Sequence, residues 1–109
     1  NCEEGEHAVS THRAVTVCAV VGAPDPVLGE RVCVYVVLRE GHHSLGVEDL
    51  ARHMQEQGMA KFKWPERIEL IHALPLTKVG KLDKAALRQD IADKIHQAKT
   101  SEGELEKRG

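Results

Sequence analysis

A chain of 109 residues forms one small domain that can still bury a core. Hydrophobic residues make up 41% and charged residues 29%, the balance of an ordinary globular domain, and no apolar run approaches the ~20 residues that span a bilayer. Fifteen Lys and Arg against seventeen Asp and Glu leave a net charge of −2, and aromatics are only 3%, which argues against nucleic acid or an acidic membrane as partner.

Asn1 to His12 reads as a short helix, with Glu3, Glu4 and Glu6 favourably placed in its first turns. Its apolar face is thin, Ala8 and Val9, and Gly5 in its interior costs up to ~1 kcal/mol relative to Ala. Val15 to Gly22 is apolar and rich in β-branched residues, as expected for a strand buried on both sides or nearly so. A turn-rich loop with Pro24, Asp25, Pro26, Gly29 and Glu30 leads into a second strand, Arg31 to Arg39, and the short loop predicts antiparallel pairing. After a polar loop, Val47 to Gln57 is an amphipathic helix on Val47, Leu50, Ala51 and Met54, with Gly58 just past its end. Met59 to Pro65 connects, with Lys61 and Lys63 around Phe62 and Trp64, the two aromatics being packing anchors. Arg67 to Ile71 is a third, short strand.

The last helix runs from Asp83 to about Ala98, on an apolar stripe of Leu87, Ile91 and Ile95 with Asp90 and Lys94 as a supporting pair. Residues 1–98 are therefore expected to form the domain, and 99–109 a charged, disordered tail. Three short strands predict an α+β fold, a small two-layer sandwich whose mainly antiparallel sheet carries its helices on one face. Cys2, Cys18 and Cys33 are odd in number and lack C-x-x-C spacing, so reduced thiols in a cytoplasmic protein are expected. His42, His43 and His53 lack metal-ligand spacing and are read as solvated, His72 is given no role, and no metal site is assigned.

The informative stretch is Leu74-Pro75-Leu76-Thr77-Lys78-Val79-Gly80-Lys81-Leu82-Asp83. Pro75 withholds a backbone donor and biases Leu74 toward an extended conformation. Gly80 permits a backbone geometry that a side chain hinders, and Asp83 is an N-cap for the helix that follows. Lys81 is thereby held on a short turn braced by a helix. Lys78 and Lys84, which flank it, are read as surface charges.

Pro75, Thr77, Gly80, Lys81, Leu87 and Arg88 resemble the P-x-T-x-x-G-K-x-x-x-x-x-L-R signature of adenylate-forming enzymes, the superfamily of acyl- and aryl-CoA synthetases, luciferases and nonribosomal peptide adenylation domains. The signature lies near the end of their small C-terminal domain. Phe62 to Glu69 together with Leu74 to Lys84 is similar, more narrowly, to 2,3-dihydroxybenzoate- and salicylate-AMP ligases of siderophore assembly. The likeness runs from Asn1 to about Ile95. The first segment departs from it, with Gly5 and Ser10 where apolar residues are usual and Arg13 where Pro is usual, so the first helix is expected to be loosely held or to lean on a neighbouring domain.

The resemblance implies a two-step reaction in which ATP with Mg2+ is bound mainly by an N-terminal domain that is not in this sequence. Lys81 is implied as the catalytic residue, a cation between substrate carboxylate and phosphate, with Thr77, Gly80 and Asp83 supporting its loop. The implied partners are that N-terminal domain and a thiol donor, either CoA or a carrier-protein phosphopantetheine. Arg31, Arg39, Lys61 and Lys63 are candidates for meeting the anionic donor, each set against a plain solvated charge. This chain alone is expected to be inactive. The rival within the fold is an aryl- or acyl-CoA synthetase; the rival outside it is a free-standing, non-catalytic α+β interaction module. A start at Asn1, inside a family motif, favours a piece of a longer protein.

Overall fold

The computed structural model describes the backbone of residues 2–25, 27 and 29–108, and the side chains of residues 4–98 among these except Phe62. In chain order the elements are α1 (Cys2–Ser10), β1 (Val15–Asp25), β2 (Gly29–Leu38), α2 (Val47–Glu56), one turn of 3-10 helix (Lys61–Lys63), β3 (Arg67–Leu70) and α3 (Lys84–Arg108). The sheet order is β1-β2-β3. β1 and β2 pair antiparallel, with Ala19 opposite Tyr35 and Val20 opposite Val34. β3 lies parallel to β2, with Val34 opposite Ile68, and α2 lies in the connection that a parallel pair needs.

The α+β class and the mainly antiparallel three-stranded sheet match the expectation. The helices, however, cover both faces and not one. Alternation along a strand sends successive side chains to opposite sides, and on β1 and β2 both sides are apolar. Val20, Val34 and Val36 pack with Ala8 and Val9 of α1 and with Leu50 and Met54 of α2. Ala19, Val21, Ala23, Cys33 and Tyr35 pack with Leu87 and Ile91 of α3. A strand buried on two sides needs two covering layers, so the two-layer reading gives way to a sheet between α1 and α2 on one side and α3 on the other.

The first helix is shorter than predicted, but it is docked on the domain's own sheet. Val9 is fully buried and Ala8 nearly so. A methyl group on Gly5 would sit 3.7 Å from Val20 Cγ2, ordinary van der Waals contact. Gly5→Ala is therefore expected to stabilise the domain by about 0.5–1 kcal/mol, through helix propensity and a less flexible unfolded chain. Thermal unfolding checks this, and a lowered midpoint would show that α1 approaches β1 too closely for a side chain.

At the other end, α3 runs to Arg108 with no break near Ala98, where a separate tail was placed. No proline interrupts this stretch, and most of its residues favour helix, with Gly103 the one poor former. The side chains that would have shown whether Phe62 is a packing anchor lie outside the described residues. Trp64 is such an anchor: it is half-buried against the α1–α2 core, and its indole N–H donates to the Met59 carbonyl at 2.9 Å. Cys18 and Cys33 are free thiols, each pushed up to about 11, chiefly by burial and next by a nearby carboxylate (Glu6 for Cys18, Glu69 for Cys33). Neither has the character of a nucleophile at neutral pH. Among the described residues, no helix is long and apolar enough to cross a membrane.

Candidate functional site

The segment between β3 and α3 folds back on itself as a miniature hairpin. Leu76 and Leu82 form an antiparallel bridge. Between them the Thr77 N–H donates to the Lys81 carbonyl at 2.7 Å, and the Gly80 N–H donates to the Thr77 carbonyl at 2.9 Å. Three-residue hairpin loops of this kind need a left-handed residue at the last loop position, and Gly80 supplies it with φ of 83°. The Thr77 hydroxyl oxygen accepts the Lys81 N–H at 3.2 Å. Thr77 thus holds Lys81 through the backbone on both sides of the turn.

The hairpin is anchored where it meets α3. The Asp83 N–H donates to the Pro75 carbonyl at 2.9 Å, closing the base, and Asp83 Oδ1 accepts the Ala86 N–H at 3.1 Å, the N-cap expected of it. Lys81 itself is exposed, and among the described residues its ammonium makes no ion pair. Leu76 and Val79 of the same hairpin are 63% and 80% exposed. The hairpin therefore presents two exposed lysines, Lys78 in its turn and Lys81 at the close of it, beside two exposed apolar side chains.

Behind the hairpin, α3 is clamped to the sheet. The buried Tyr35 hydroxyl lies 2.5 Å from Asp90 Oδ2, to which it donates, and 3.3 Å from the Leu87 carbonyl. Lys94 reaches Asp90 at 3.0 Å, as the i, i+4 spacing predicts, and Glu69 of β3 at 3.2 Å. The hydrogen bonds from Tyr35 and Lys94 hold the Asp90 carboxyl below the usual carboxylate range. Its stabilising contribution is thus present at neutral pH and lost as pH falls through that lowered value, and solvent screening keeps it small.

The candidate docking residues do not form one patch. Arg31 and Arg39 stand at opposite ends of β2, and Arg31 is paired with Asp25 at 3.1 Å and Glu66 at 3.9 Å. Lys63 pairs with Glu4 of α1, whereas Lys61 and Arg39 are exposed. Lys84 is also more than a surface charge: it pairs with Glu6 across the edge of the sheet. That pair was missed because it joins the two ends of the domain, and no local pattern encodes it. The Tyr35 clamp left one signal, a hydroxyl in an apolar strand that needs a partner. His72, read as a residue without a role, is exposed and lines a hollow of about 360 Å3 with His42, His43 and Leu70. His53 is elsewhere, its Nε2 within 2.7 Å of the Thr11 hydroxyl and 3.1 Å of the Ala8 carbonyl. Among the described residues no cluster of three or more His, Cys, Asp or Glu is placed to hold a metal ion.

A three-stranded mixed sheet, helices on both faces and a lysine hairpin capped into the last helix together define one class of domain. Residues 4–81 match the AMP-binding enzyme C-terminal domain family, and the chain belongs to it. It is 42% identical over 92 residues to enterobactin synthase component E of Escherichia coli (strain K12), covering 84% of this chain and 17% of that protein. To the 2,3-dihydroxybenzoate-AMP ligase of Bacillus subtilis (strain 168) it is 39% identical over 93 residues, covering 85% of this chain and 17% of that protein. The crystal structure of an acyl-CoA synthetase from Brucella canis superposes with a TM-score of 0.77 at 34% identity, over 84% of this chain and 17% of that one. The chain thus spans about a sixth of the length of the proteins it matches.

Proposed function

We propose that this chain is the mobile C-terminal domain of an ATP-dependent aryl-acid–AMP ligase, and that Lys81 is its catalytic residue. The supporting observation is the presentation of Lys81, an exposed ammonium without an ion pair among the described residues, on a hairpin whose base is fixed. In the first step a carboxylate oxygen attacks the α-phosphorus of ATP, the bond to the bridging oxygen breaks, and pyrophosphate leaves. Two anions approach each other in that step. A compact cation between them fixes their approach and offsets the charge that develops. In the second step a thiol gives up its proton and attacks the acyl carbon, and AMP leaves as the carbon–oxygen bond breaks. Between the two steps, rotation of the domain carries Lys81 away so that the thiol can enter.

In this reading Mg2+ and ATP are held mainly by the N-terminal domain, and the reaction takes place in the cytoplasm. The thiol belongs to a carrier-protein phosphopantetheine of siderophore assembly, as the likeness to the dihydroxybenzoate-AMP ligase suggests. The likeness to an acyl-CoA synthetase supports the second reading, CoA as the acceptor. ATP–pyrophosphate exchange by the full-length protein with a panel of aryl and alkyl acids tests the first step, and transfer to CoA against transfer to a phosphopantetheinylated carrier separates the acceptors. Aryl-dependent exchange with preference for the carrier is expected. Exchange with alkyl acids alone would refute the aryl-acid reading, and robust exchange by residues 1–109 alone would refute the role of a dependent lid.

A further inference from the structure

We infer that Glu6 and Lys84 form a strap around the edge of the sheet that sets the angle at which the Lys81 hairpin leaves the domain. They are positioning residues for adenylation, and this inference rests on the role proposed for Lys81. β1 is an outer strand, and the N–H of its Val20 is accepted by Glu6 Oε1 at 3.2 Å. The same oxygen receives the Lys84 ammonium. The Glu6 carbonyl in turn accepts the Cys18 thiol at 3.3 Å, so the α1 turn that carries Glu6 is tied to β1 at two points. α1 and α3 lie on opposite faces of the sheet, and among the described ion pairs this is the one that joins them.

The position of Lys84 in the chain gives the pair its leverage. Lys84 is the first residue of α3, and Asp83, beside it, closes the base of the hairpin through Pro75. A tether on Lys84 therefore acts directly on the foot of the arm that bears Lys81. Both side chains are largely withdrawn from water, 22% exposed for Glu6 and 29% for Lys84, so the pair is screened less than a surface ion pair. Its Val20 bond keeps the Glu6 carboxylate from following a wandering lysine. Without the tether, α3 would remain packed through Leu87 and Ile91, but its first turn could swing and take Lys81 with it. A displacement of about 1 Å at a reacting group can cost 10²-fold, so about a tenfold loss is expected from loosening one of several supports.

The test uses the full-length protein with the variants Glu6→Gln and Lys84→Met, the conservative Lys84→Arg, and Lys81→Ala. Glu6→Gln and Lys84→Met should each lower kcat for ATP–pyrophosphate exchange about tenfold, with KM for acid and ATP within about twofold. Transfer from preformed acyl-adenylate to the thiol should be unchanged, because Lys81 has left the site by then. Lys84→Arg should recover most of the lost exchange. Unchanged exchange in both charge-removing variants overturns the strap. Equal loss in both half-reactions, tracking a lowered melting temperature, also overturns it, since that is the mark of a purely structural pair. Should Lys81→Ala leave exchange intact, the role of Lys81 fails first and the strap falls with it. Loss in Lys81→Ala with normal exchange in the strap variants removes the strap alone.

Discussion

Lys81→Ala in the full-length protein is expected to lower ATP–pyrophosphate exchange by about 10²–10³-fold, while transfer from preformed acyl-adenylate falls much less. The magnitude is that of one electrostatic donor aimed at developing charge in a site shielded from water. The asymmetry between half-reactions is the sharper part, because it follows from the proposed rotation of the domain. Lys81 is exposed on a hairpin that also exposes Leu76 and Val79, so in the proposed role it acts only where a second body receives it. A residue that serves one docked arrangement should matter for one step. Lys81→Arg keeps the charge but spreads it over a planar fork, and should recover only part of the loss. Rapid-quench assays of each half-reaction check the prediction; equal loss in the two steps would place Lys81 in the fold of the domain and not in its chemistry.

The largest effect on stability is expected at Ile91. It is fully buried at the centre of the layer formed by α3 on Tyr35, Cys33 and Ala19. Ile91→Ala removes buried methyl and methylene groups and leaves a cavity, which costs about 2–5 kcal/mol against a total that for domains of this kind is about 5–15 kcal/mol. A drop in melting temperature of roughly 10 °C or more is expected, and Ile91→Val should cost only about 0.5–1.5 kcal/mol. Urea titration of the variants gives the numbers. A parent-like midpoint for Ile91→Ala would mean that α3 is not part of the core, and that the lysine hairpin has no rigid base.

The turn that holds Lys81 was readable because each of its determinants acts locally, whereas its pairing into a hairpin was not. Pro75, Gly80 and Asp83 restrict the backbone within a few residues of themselves, and the structure uses Gly80 for a positive φ and Asp83 for a cap, as their chemistry dictates. The stripe of Leu87, Ile91 and Ile95 was readable by its period. Layer order was not. Val34 and Val36 on one side of β2 and Cys33 and Tyr35 on the other are apolar alike, so alternation shows that both sides are covered but not by which helix. The Glu6–Lys84 pair was hidden because glutamates in a first helical turn already have a local explanation in the helix dipole. The parallel placement of β3 did leave a signal, the predicted helix between the second and third strands, since a helical crossover returns the chain parallel.

The two-sided sheet also provides a means of observing itself. The chain has one tryptophan and one tyrosine, and the sheet keeps them apart: Trp64 packs against the layer of α1 and α2, and Tyr35 lies under α3. Indole emission and the second-derivative absorbance of the phenol therefore report on different layers. Loosening of either side can be followed in the unlabelled domain, without a dye or an introduced probe.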